Sequence, residues 1–173
     1  MALIRTIRGF TPKWGEDCFL AETATVLGDV ILGDQCSVWY NAVIRGDVNE
    51  IRIGNQVNIQ DGAVIHCTYE KTGTYIGNHV SIGHLALVHG CTLEDNVLVG
   101  MGAIVMDNVV AQSNCLIAAG AVVLEKTILE SGFIYAGVPA KKVKELDPET
   151  AKFYITRTAA NYVAYAEWFR NPG

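Results

Sequence analysis

Long apolar runs are missing from this chain: nothing in its 173 residues approaches the ~20 consecutive apolar residues of a membrane span. The opening residues, MALIRTIRGF, are interrupted by Arg5 and Arg8, so no signal-peptide pattern is read there. Basic clusters are also missing. The 13 Lys and Arg against 18 Asp and Glu leave a net charge of −5 and a pI near 5.3, which excludes the charge footprint of a nucleic-acid binder. The 5 cysteines have no CxxC spacing, which argues for reduced thiols in a cytoplasmic setting. Neither a helical apolar period of about 3.6 nor a simple strand period of 2 organises most of the chain.

A period of six residues does. With an aliphatic residue at the first position, Leu32, Val38 and Ile44 fall in register. So do Ile53, Ile59 and Ile65, then Ile76, Ile82 and Val88, then Val99, Val105, Ala111, Ile117 and Val123. A short strand plus a corner fits this period, and three such units make one triangular coil of a parallel β-helix. The expected fold is therefore an all-β solenoid, with aliphatic residues stacked inward and coils about 4.8 Å apart. Small residues recur at the fifth position, among them Cys36, Ala63 and Cys115, and are expected at the tight corners. Cys67 follows His66 directly, and strand alternation aims it the opposite way.

Two parts are expected. Residues 1–140 form the β-helix domain, with a strand-like start at Leu3–Ile7, a turn at Pro12–Gly15, and coils from about Ala24 to Gly137. A loop at 67–75 interrupts it, and Pro139 ends the repeats. Residues 141–173 carry a C-terminal α-helix packed on the β-helix, with Asp147 as N-cap, Pro148 at its first position and Glu149 in its first turn. Its aromatic residues, Tyr162 and Phe169 among them, need a wall to cover, on this chain or a neighbour.

Three of the 4 histidines stand in bearings that suit one metal ion. His66 follows Ile65 and His89 follows Val88, so both occupy the second position of one face, one coil apart, once the loop is discounted. Rings stacked at about 4.8 Å can share an ion whose metal–nitrogen bonds are about 2.0–2.1 Å. His84 falls on a different face and is expected to reach the ion of a neighbouring copy, three times over in a cyclic trimer. His79, outward and alone, reads as surface. Arg45 stands below His66, Asp61 below His84 with Gln60 beside it, and Asp47 is two residues from Arg45. These are the candidates for a polar interface network and for contacts to the ion's water.

The segments IRGDVNEI at 44–51, NIQDGAVIH at 58–66, IGHLALVHG at 82–90, GMGAIVMD at 100–107 and AGVPAKKV at 136–143 resemble the γ-class carbonic anhydrase family, most closely its short bacterial branch. The resemblance implies a left-handed parallel β-helix of hexapeptide repeats, a homotrimer, and a zinc ion (iron or cobalt as alternatives) at each interface. It implies reversible hydration of carbon dioxide to bicarbonate by a metal-bound hydroxide, with His66 and His89 from one subunit and His84 from another. It further implies Arg45 and Asp47 in the interface network, Gln60 near the metal's water, Asp61 as the arginine's partner across the interface, and Tyr162 near the metal.

The archetypal members carry a long acidic loop whose glutamate exports protons. Here the corresponding loop, Cys67–Tyr75, is short, Glu70 is its only acid, and Asn49 and Glu50 do not restore a second one. Low activity is expected on that ground. Two other readings of the scaffold stay open: a hexapeptide acyltransferase with a histidine base and no metal, and a metal-clamped trimeric scaffold.

Overall fold

The computed structural model describes residues 1–170. Its strands wind into a parallel β-solenoid with three walls, as the six-residue period predicts. Along the first wall, Val43 and Ile44 pair with Val64 and Ile65, which pair in turn with Leu87 and Val88, and so on upward through Ile104–Val105 and Val122–Val123. The second wall stacks Thr74–Ile76, Thr92–Leu93, Val110–Ala111 and Ile128–Leu129. Two long strands, Thr25–Leu32 and Val43–Ile53, run round the corner between these walls and join them into one 12-stranded sheet. That corner has no room for a side chain: a Cβ on Gly28, whose φ is +79°, would strike the carbonyl oxygen of Gly46.

The third wall is an 8-stranded sheet running from Phe19–Leu20 to Lys141–Glu145. The first-position residues fill the interior: Ile44, Ile65, Val88 and Val105 are all 0% exposed. Alternation along each short strand then turns their neighbours outward, which is how the histidines reach the surface.

Three details differ from the sequence reading. The corners are turned at the fourth position rather than the fifth: Gln35, Asn41, Gln56, Asn96, Asn108 and Asn114 have φ between 53° and 60°. Asparagine tolerates this left-handed conformation better than most residues. The fifth-position residues follow that turn and pack inward, Ala63 at 0% and Cys36 at 1% exposure. Second, the solenoid begins well before Ala24. Leu3–Arg5, Lys13–Trp14 and Phe19–Leu20 already form a rung on the three walls, and Lys13–Trp14, read as part of a turn, pairs with Ile31 and Leu32. Third, Lys141–Glu145 is a strand, antiparallel to Phe133–Ala136, which closes that end of the third wall.

The helix begins where its capping residues place it. Asp147 accepts from the Thr150 backbone N–H at 2.8 Å, and Pro148–Ala151 opens the helix. A wider turn at Lys152–Thr156 leads into Arg157–Arg170. This helix lies on its own chain's third wall: Trp39 meets Tyr162 and Phe169 edge-on, with ring centroids 5.3 and 5.2 Å apart. Among the described residues, no helix is long and apolar enough to cross a membrane.

Candidate metal centre

His66 and His89 end neighbouring strands, Val64–His66 and Leu87–His89, and are direct partners in the register. Inward packing of Ile65 and Val88 turns both rings outward side by side. Their facing nitrogens, His66 Nδ1 and His89 Nε2, are 3.1 Å apart.

A carboxylate holds the far side of each ring. Asp47 Oδ1 is 3.1 Å from His66 Nε2, and Asp107 Oδ1 is 2.7 Å from His89 Nδ1. His84, at the corner after Ser81–Ile82 on the third wall, has its Nδ1 2.9 Å from Asp61 Oδ2. A ring nitrogen that donates to a carboxylate leaves the other nitrogen as a lone pair. In His66 and His89 the two lone-pair edges therefore face each other, and only a shared proton or a cation between them makes that contact favourable. Two ligand nitrogens on a tetrahedral zinc lie about 3.3 Å apart at the usual bond lengths, close to the separation seen. The residues present fit a metal ion.

Within one chain the structure gives a pair and not a triad. Among the described residues, no group of three or more His, Cys, Asp or Glu side chains is gathered to hold an ion. His84 is not brought to the pair; its Nε2 faces the Tyr162 hydroxyl at 3.5 Å.

The electrostatics of the pair keep its ligands in usable form. Burial lowers the His66 pKa, with the Arg45 charge acting in the same direction and Asp47 opposing it, so the ring is held neutral. Burial raises the Asp47 carboxyl, but hydrogen bonds from Arg45 and His66 outweigh it and leave it below the ordinary carboxylate value. Asp107 shows the same balance, with His89 and Thr68 as donors. Burial pushes the Tyr162 hydroxyl up to about 12, so it stays protonated.

The other candidates are placed as follows. Arg45 Nη1 pairs with Asp47 Oδ2 at 2.7 Å, and its Nη2 lies 3.5 Å from His66 Nδ1. Gln60 is 6% exposed: its amide donates to Asn58 Oδ1 at 2.9 Å and its carbonyl accepts from the His84 backbone N–H at 3.2 Å. Cys67 points inward, its thiol toward the Asn49 carbonyl at 3.4 Å and pushed by burial to about 11. Of the acids near the short loop, Glu50 is tied to Arg52 at 2.8 Å and to the Tyr75 hydroxyl at 2.7 Å, while Glu70 is exposed. The sequence reading missed Asp107 as the partner of His89. Val88 pairs with Val105, so Asp107 falls one residue past the position that His89 holds in its own coil, and the repeat does not point to it.

Comparison with known proteins gives the family. The chain is 53% identical over 148 residues to a probable carbonic anhydrase of Methanocaldococcus jannaschii, covering 86% of this chain and 92% of that protein. The chain belongs to the γ-class carbonic anhydrase family. It is 41% identical over 162 residues to the mitochondrial γ carbonic anhydrase 2 of Arabidopsis thaliana, covering 91% of this chain and 58% of that protein. The chain thus spans somewhat more than half the length of this γ carbonic anhydrase of plants. No family model matches. A solved structure of a putative acetyltransferase from Bacillus cereus superposes with a TM-score of 0.94 at 31% identity, covering 99% of each chain. The γ carbonic anhydrase scaffold is therefore shared with proteins described as transferases.

Proposed function

We propose that the protein catalyses reversible hydration of carbon dioxide at a zinc ion held between copies of the chain in a homotrimer, with His66 and His89 from one copy and His84 from the next. The observation that carries this reading is the 3.1 Å approach of two imidazole nitrogens whose far sides are both held by carboxylates. Family membership supports the reaction. The surface around His84 supports the interface: Leu85 and Met101 are 73% and 62% exposed, apolar groups that a neighbouring copy covers.

A zinc ion on three imidazoles with an open position, when bound, acidifies water to a pKa of about 7. The chain's own residues orient and hold. Asp47 and Asp61 fix the His66 and His84 rings, and Gln60 fixes the corner that carries His84. Asp61 also receives the neighbour's Arg45, which sets the register of the trimer. Arg45 keeps a positive charge beside His66 that favours the anionic product. Tyr162, protonated at neutral pH, stands 3.5 Å from His84 Nε2 and would offer its O–H to a group beside the ion rather than to the ligand nitrogen. With Glu50 committed to Arg52 and Tyr75, proton export falls to solution buffer, so turnover is slow and rises with buffer concentration. The cysteine pattern supports a cytoplasmic setting.

Elemental analysis with a stopped-flow hydration assay tests the reading. His89→Ala is expected to lose bound metal and hydration together; stoichiometric zinc in that variant contradicts the ligand assignment.

One observation favours a second reading. A cavity of about 670 Å³ runs beneath the helix from Gln60 and His84 past Leu98, Leu116 and Ile134. Its apolar lining suits an acyl group, in keeping with the transferase description of the similar structure. Acetyl-CoA binding by metal-free protein supports the acyltransferase; no binding, with zinc present, supports the anhydrase.

A further inference from the structure

We propose that Asp107 is the positioning residue for His89, and that the short loop 67–75 braces the metal ligands. Of the three histidine–carboxylate contacts, that between Asp107 and His89 is the shortest, at 2.7 Å against 2.9 Å for His84 and 3.1 Å for His66. Both carboxylate oxygens of Asp107 are engaged. Oδ2 accepts from the Thr68 hydroxyl at 2.8 Å, and Oδ1, besides taking the His89 N–H, lies 3.3 Å from the Thr72 hydroxyl. Three donors on one carboxylate leave it no alternative rotamer with equal hydrogen bonding, so the ring it holds is fixed as well.

Two further features belong to the same clamp. Gly90, next to His89, leaves the space the clamp occupies: a Cβ there would collide with the Asp107 carboxylate and the Thr72 hydroxyl. Thr74 ties both ligand strands together. Its hydroxyl donates to the His66 carbonyl at 2.6 Å and accepts from the Gly90 backbone N–H at 3.0 Å. The loop's three threonines thus hold the backbone at His66, the backbone after His89, and the carboxylate behind the His89 ring. A backbone bridge between Thr68 and Thr72 closes the loop on itself. The consequence for His89 is a single tautomer, with the proton on Nδ1 and the Nε2 lone pair turned toward His66.

The role rests on the metal reading only for the identity of the ion, and two measurements separate the two. In zinc competition titrations of the 173-residue protein, Asp107→Ala is expected to bind about 10–100-fold more weakly than wild type. Asp107→Asn, which keeps an acceptor oxygen, loses less. The double variant Thr68→Val/Thr72→Val moves in the same direction, and it carries the test if Asp107→Ala does not fold. Wild-type zinc affinity in folded Asp107→Ala, or in the double variant, overturns the proposal. The second readout needs no metal. Long-range 1H–15N spectra of zinc-free protein are expected to show His89 protonated at Nδ1 in wild type and shifted toward Nε2 in Asp107→Ala, which leaves no acceptor there. An unchanged tautomer overturns the proposal. Wild-type protein that takes up no zinc sinks the metal reading and leaves the tautomer to decide this one.

Discussion

Ile65→Ala is the perturbation whose size the structure fixes best. Ile65 is 0% exposed and stacked between Ile44 below and Val88 above. Truncation removes three carbons, a transfer loss of about 2.4 kcal/mol at about 0.8 kcal/mol per methylene. A cavity contribution adds to this, and large-to-alanine changes in cores span about 2–5 kcal/mol according to how far the site collapses. A solenoid collapses poorly, because its rungs are pinned by inter-coil hydrogen bonds such as Val64 N–H to Ala86 O at 2.9 Å. The expected loss is therefore about 4 kcal/mol, in the upper half of that span. The comparison is Val64→Ala one residue earlier. Val64 faces outward and is only partly buried, so its loss is about 1 kcal/mol or less. Urea unfolding of both variants, at one protein concentration and with chelator present so that metal adds nothing, measures the difference. A loss below about 1 kcal/mol for Ile65→Ala, or equal losses at the two positions, refutes the stacked-wall account.

The other predictions concern thiols, the helix cap and metal removal. A hydrogen bond from Cys36 is the main cause that lowers the Cys18 thiol to about 7, while burial pushes Cys67 to about 11, Cys91 to about 12 and Cys115 to about 11. Thiolate fraction grows with pH, so alkylation of Cys18 should rise through a midpoint near 7, with the buried thiols inert until unfolding; peptide mass mapping reads this, and equal labelling of Cys18 at pH 6 and pH 8 contradicts it. Asp147→Ala removes the acceptor of the Thr150 N–H and is expected to weaken the first helical turn by about 1 kcal/mol, read by amide exchange at Thr150 and Ala151. Free zinc at about 100 times its dissociation constant adds about 2.7 kcal/mol of stability. Chelation should thus lower Tm by about 5–11 °C for a chain of this size, whereas an unchanged Tm contradicts a resident ion.

Much of the fold was legible because one residue in six repeats a single environment. Ile44, Ile65 and Val88 each announce an inward position, so the outward bearing of Arg45, His66 and His89 follows from strand alternation alone. Asp147 and Pro148 announced the helix start equally well. The first rung was not legible, because a terminal coil is covered on one side only and tolerates Trp14 where the next coils carry Leu32, Ile53 and Ile76; Trp14 is 44% exposed. The corner position was misjudged because the fourth residue varies widely, His79 and Leu85 included, and its shared property is a backbone angle rather than a side-chain type. Asp107 went unread for a related reason. Its role comes from the hydroxyls of Thr68 and Thr72, which reach it across 39 and 35 residues, and from space left by Gly90. None of these is periodic.

Subunit mixing tests the two-plus-one ligand set most directly. His84→Ala retains the pair on the first wall, and His66→Ala/His89→Ala retains the ring on the third; each alone should bind no zinc. Coexpressed in equal amounts, they form rings in which each mixed trimer regenerates one complete site, so zinc and hydration should return to about a quarter of the wild-type level. Mixed trimers as empty as the parent variants would show that the ligands come from a single chain, and the shared site between neighbouring copies would be contradicted.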